Sequence, residues 1–244
     1  MMFALISQTP LVRPGELYLL SSVLELNANH CAVAWGRTPP AVVVIDDLAK
    51  LPSQAQPVVF VEDTSDPSAL GIHHWDPVRG LAARVFVNNA SGLNRGPQSI
   101  AEITGHEILE ALVDPQTSLW LDYPAAAEGA AVQVALEVCD PVQDTYEVVS
   151  RGTAWQVANF VRPEWFDRRY ANPKAMSMLT KSGGAFDHAR RLSGPGEIGP
   201  SGYVVLRSPT AGGYEAFLCD RKLERPQLAA AKTHPWARTE RRLG

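Results

Sequence analysis

The chain has 244 residues, 45% of them hydrophobic and 20% charged, with a formal net charge of −4. That length predicts one large domain or two small ones, and the apolar fraction excludes wholesale disorder. No run approaches the ~20 apolar residues of a membrane span, and the mild acidity excludes nucleic-acid binding through bulk charge. Cys31, Cys139 and Cys219 are odd in number and far apart, which argues against a disulfide framework and for a reducing compartment. The first six residues lack a basic n-region, so the expectation is a soluble chain made in the cytoplasm without a signal peptide.

Along the chain, the first third reads as β structure. Residues 16–20, 31–35, 41–45 and 57–61 are short β-branched or aromatic runs bounded by Gly, Pro, Asn or Asp. Residues 63–68 form a turn-rich connector, and 71–77, with His73 and His74, read as a polar and aromatic loop before a strand at 83–87. The clearest helix follows. Ser99-Ile100-Ala101-Glu102 is a capping box that opens it, and Pro115 stops it at Asp114 by disfavouring the α conformation there. Residues 131–138 and 145–150 read as strands of a hairpin around Asp140-Pro141, and 155–166 as a strand and a turn. Residues 173–200 read as a long loop, and 202–207 with 214–218 as a closing strand pair. The expected fold class is α+β, with many short strands around one prominent central helix and long irregular loops. The expected organisation is one domain over residues 1–220, with the site helix at 99–114, and a basic tail over 221–244.

That helix concentrates the chemistry. At ~100° per residue, Ile108, Leu109 and Leu112 share a core-facing side, while His106, Glu107, Glu110 and Asp114 share the other. A solvated face normally mixes acids with bases; this one has a His, three acids and no Lys or Arg. His106 and Glu110, one turn apart, lie about 6 Å along the axis, so an imidazole nitrogen and a carboxylate oxygen can converge on one Zn²⁺. Glu107 points off that axis, placed to act as general base on a water polarised by the cation. The run Gly105-His106-Glu107-Ile108-Leu109-Glu110 resembles the active helix of a zincin-type metallopeptidase, in an H-E-x-x-E variant. Replacing the second His by a carboxylate makes a harder ligand set, which admits Ca²⁺, Mn²⁺ or Mg²⁺ more readily. The third ligand lies outside the motif. Glu137, on a downstream strand, is the first choice; Asp140, His73, His74 and His188 are further candidates, and Asp114 is about 12 Å from His106 along the axis. The strand at 83–87 is a candidate edge for an extended peptide substrate.

A broader resemblance covers residues 69–203. Its segments are Ala69-Leu70-Gly71-Ile72-His73-His74 before Val85-Phe86-Val87, the 105–115 helix, Glu137-Val138-Cys139-Asp140-Pro141-Val142, Val157-Ala158-Asn159-Phe160-Val161-Arg162-Pro163-Glu164-Trp165-Phe166, Phe186-Asp187-His188 and Gly202-Tyr203. Their order is similar to an uncharacterised family of tailed bacteriophages and their bacterial relatives. The resemblance implies a virion-associated protein with other assembly subunits as partners. Arg221, Lys222, Arg225, Lys232, Arg238, Arg241 and Arg242 give the tail a basic character suited to an acidic neighbour or packaged nucleic acid. Two functions are expected from these readings. One is a zinc-dependent peptidase associated with a phage particle. The other is a non-enzymatic virion component whose helix is a structural metal site or a relic.

Overall fold

The computed structural model describes residues 1–62, 70–76, 80–126, 132–208 and 213–218. In chain order the helices and strands begin with β1 (Met2–Ser7), α1 (Pro14–Ala34), β2 (Ala41–Val44), β3 (Ala55–Val61), β4 (Gly71–Asp76), β5 (Gly80–Phe86) and α2 (Ile100–Val113). They continue with β6 (Trp120–Asp122), β7 (Gln133–Ala135), β8 (Tyr146–Arg151), β9 (Thr153–Ala158), α3 (Pro173–Lys181), β10 (Tyr203–Ser208) and β11 (Gly213–Leu218). Helix and sheet are mixed, as an α+β reading requires. The connector at 63–68, Cys219 and the basic tail lie outside the described residues. One compact unit joins Met1–Gln116 with Tyr146–Ala158; the second comprises the described residues of Thr117–Thr145 and Asn159–Gly244. Among the described residues, no helix is long and apolar enough to cross a membrane.

The sheet of the first unit has the order β2-β1-β3-β5-β4. β1 pairs in parallel with β2 and β3, and β3 with β5, while β4 runs antiparallel to β5. Parallel neighbours need a long crossover, and α1 supplies the one between β1 and β2. Phe3, Ala4, Leu5 and Ile6 of β1 are all buried, with Ala4 and Ile6 packed against Ala55, Val43 and Leu48. Burial on both faces explains the unbroken apolar run at these positions. β5 is interior, with Ala83 opposite both Val58 and His73. The strand at 83–87 is therefore not the free edge expected of it, because β4 covers that side.

α1 overturns the two strands expected at 16–20 and 31–35. Pro14 stands in its first turn, and Glu16 accepts hydrogen bonds from the Arg13 amide at 2.8 Å and the Arg13 guanidinium at 2.7 Å. The guanidinium bond holds the Glu16 carboxyl below its ordinary pKa. Leu17, Leu20, Leu24, Ala28 and Cys31 are buried at steps of three and four, a helical period that two separate short runs conceal. The loop expected at 71–77 is likewise replaced, since residues 71–76 are β4.

In the second unit the antiparallel sheet runs β11-β10-β7-β6, and β10 with β11 forms the expected closing pair. The hairpin expected between 131–138 and 145–150 does not form. β7 pairs with β6 and β10, and Asp140-Pro141 lies in a single 3-10 turn. β8 pairs with β9 in the first unit instead, across Gly152 at φ +77°, a left-handed conformation that glycine adopts without strain. Residues 173–181, expected as loop, form α3, capped by Asn172, whose Oδ1 accepts from the Lys174 amide at 2.9 Å.

Candidate functional site

α2 starts where the capping residue predicts: the Ser99 hydroxyl accepts from the Glu102 amide at 3.3 Å. It ends at Asp114, whose amide donates to the Glu110 carbonyl at 2.8 Å, one residue before Pro115. The helix packs on α1, β4, β5 and β9. Gly105 permits the close approach on one side, since a Cβ there would stand 3.1 Å from Asn27 Oδ1 and 3.2 Å from the Ala158 amide nitrogen. Being enclosed this way, α2 has no solvated polar face. Glu107 is 6% exposed and Glu110 2%, and His106 alone of the helix residues is more than marginally accessible.

Burying an ionised carboxylate costs several kcal/mol unless it is paired and hydrogen-bonded. Two imidazoles provide the pairing. His106 Nε2 lies 3.2 Å from Glu110 Oε1, as the i, i+4 spacing predicts. His73, from β4 and fully buried, places Nδ1 2.9 Å from Glu107 Oε2 and 3.5 Å from Glu110 Oε2. Gly71 and His73 share one face of β4, since side chains alternate along a strand. A Cβ on Gly71 would fall 2.6 Å from Glu107 Oε1, so the glycine leaves the space that this carboxylate fills. His74 is on the opposite face, beside a cavity of about 270 Å³ bordered also by Val59, Val61 and Arg84.

The structure thus brings His106, Glu107 and Glu110 together and adds His73. Glu137 and Asp140 belong to the second unit, where both are buried, Glu137 just after β7 and Asp140 at the head of its 3-10 turn. His188 is also in the second unit, stacked on Phe160 with ring centroids 4.9 Å apart. Gly71 carried no functional expectation; the signal available for it was the Gly-x-His alternation in a run short enough to be a strand. A tetrahedral ion with bonds of about 2.1 Å sets its ligand atoms about 3.4 Å apart. The 3.2 Å between His106 Nε2 and Glu110 Oε1 fits such an edge. Among the described residues there are groups of His, Glu and Cys that could hold a metal ion. Compared with protein-family models, with curated proteins and with solved structures, the chain matches none.

Proposed function

We propose that the first unit carries a divalent-cation site, with Zn²⁺ as the first choice, and that the site serves a zincin-like hydrolysis of peptide bonds. The observation behind this reading is Glu110, a buried carboxylate with His106 Nε2 at 3.2 Å and His73 Nδ1 at 3.5 Å. His106 and Glu110 would hold the ion. A bound Zn²⁺ lowers the pKa of water towards about 7. Glu107 would accept the proton of the attacking water and return it to the departing amine, the double duty of a general base and acid. Its burial and its contact to His73 keep that carboxylate in one place.

The test uses the full chain equilibrated with Zn²⁺ and freed of excess. The reading expects about one equivalent retained by the native protein, and marked losses in His106→Ala and Glu110→Gln. Glu107→Gln should keep the metal and lose cleavage of a peptide library. A chain that retains no metal overturns the proposal. A second reading, a structural metal site without a reaction, is favoured by the near-complete burial of Glu107, Glu110 and His73. Full metal loading with no cleavage by the native chain would select it, because structural sites are closed whereas catalytic ones keep a water position.

A further inference from the structure

We infer that His73 is a positioning residue of this centre: delivered by β4 beside Gly71, its Nδ1–H orients the carboxylates of Glu107 and Glu110 for a divalent cation. The inference rests on the metal-site reading and adds a residue and a role to it.

The geometry has three parts. First, His73 approaches both acids of the helix, Glu107 Oε2 at 2.9 Å and Glu110 Oε2 at 3.5 Å, while His106 takes the other oxygen of Glu110. An ionised carboxylate only accepts hydrogen bonds, so with both acids in that form, as cation binding requires of Glu110, the shared nitrogen would be the one bearing hydrogen. Second, two buried carboxylates one turn apart repel each other, and an N–H between them opposes that repulsion and sets which way each plane faces. Third, the missing side chain at residue 71 leaves room for this arrangement: a Cβ would meet Glu107 Oε1 at 2.6 Å and Ile103 Cγ2 at 2.9 Å, so Glu107 would have to shift. Packing alone does not call for a polar ring at position 73, which is 0% exposed; an apolar side chain fills such a place without needing hydrogen bonds. Outer groups that orient metal ligands typically change metal affinity about 10–100-fold when removed.

Zn²⁺ affinity of the full chain, measured by competition with a chromophoric chelator, tests the role. His73→Asn keeps an amide nitrogen near the position of Nδ1, whereas His73→Gln moves it to the position of Nε2. The expected result is near-native affinity for Asn and a loss of about 10–100-fold for Gln. Gly71→Ala, which touches no ligand, should also weaken binding, by displacing Glu107 from His73. Equal affinities for His73→Asn, His73→Gln and the native chain, with circular dichroism unchanged, would overturn the inference while leaving the metal site standing. A native chain that binds no Zn²⁺ would instead remove the metal-site reading, and this role with it.

Discussion

His73 and Glu107 meet inside the protein, Nδ1 to Oε2 at 2.9 Å, although 34 residues separate them in the chain. One comes from the edge strand of a sheet and the other from a helix, so their contact ties β4 to α2. Truncating one member of such a buried pair removes this contact from the other, and breaking a buried pair costs up to about 3–5 kcal/mol. His73→Ala and Glu107→Ala should each destabilise by about that much in urea unfolding at pH 7. The double variant should lose less than the sum, with a coupling energy of about 1–3 kcal/mol. Strict additivity would show that the contact contributes nothing beyond packing.

Gly105 sets propensity against fit. Replacing glycine by alanine within a helix normally gains about 1 kcal/mol. Here the added methyl would stand 3.2 Å from the Ala158 backbone nitrogen and 3.1 Å from Asn27 Oδ1. Neither neighbour moves easily: Ala158 is in β9, and the Asn27 amide donates to the Ala158 carbonyl at 3.1 Å and to Glu147 Oε2 at 3.0 Å. Gly105→Ala should therefore lower stability, by about 1–2 kcal/mol net of the helical gain. A variant more stable than the native chain would show that the hairpin yields.

The helix of the site was legible because its signals are local. Ser99, the periodic apolar residues and Asp114-Pro115 act within a few positions of one another, and its boundaries follow from them. What surrounds that helix was not legible. The one-sided arrangement of His106, Glu107 and Glu110 suggested a cation site, whereas the enclosure of the helix by α1, β4, β5 and β9 is decided by contacts distant in sequence. His73 looked like a loop residue because Gly71 and the neighbouring His and Trp resemble turn chemistry. Its strand state depends on β5, which offers a ladder to pair with. The misreading of residues 16–35 has a different cause. Val33 and Trp35 favour strands locally, while the burial period from Leu17 to Cys31 emerges only over four turns.

Asp187 organises the irregular part of the second unit. Fully buried, it accepts from Asn159 Nδ2 at 2.7 Å and from the amides of Arg191 and Leu192, each at 2.8 Å. Asp187→Ala would remove the acceptor of the buried Leu192 amide and one acceptor of Asn159 Nδ2, which keeps Thr145 Oγ1 at 2.9 Å, and each buried donor left unsatisfied costs about 1–3 kcal/mol. The expected outcome is a loss of about 1–3 kcal/mol and faster proteolysis within residues 188–202, read by mass spectrometry of the fragments. Native-like resistance in the alanine variant would show that these amides find other partners.

Cys31 gives a pH dependence with a definite sign. The side chain is fully buried in α1, and desolvation pushes its thiol well above the ordinary range. An unfolded chain ionises the same thiol near pH 8.5. With its folded pKa raised, the group's contribution is fully present below the unfolded pKa and is lost progressively as pH rises above it. The slope is about 1.4 kcal/mol per pH unit for one thiol that is protonated when folded and ionised when unfolded. Between pH 9 and 10 the native chain should therefore lose stability more steeply than Cys31→Ala, by about that amount. In a Cys139→Ser/Cys219→Ser background, iodoacetamide at pH 9 should leave the folded protein unlabelled and modify Cys31 once denaturant is added. Labelling of the folded protein at a rate similar to that of a free thiol would contradict the burial that sets this slope.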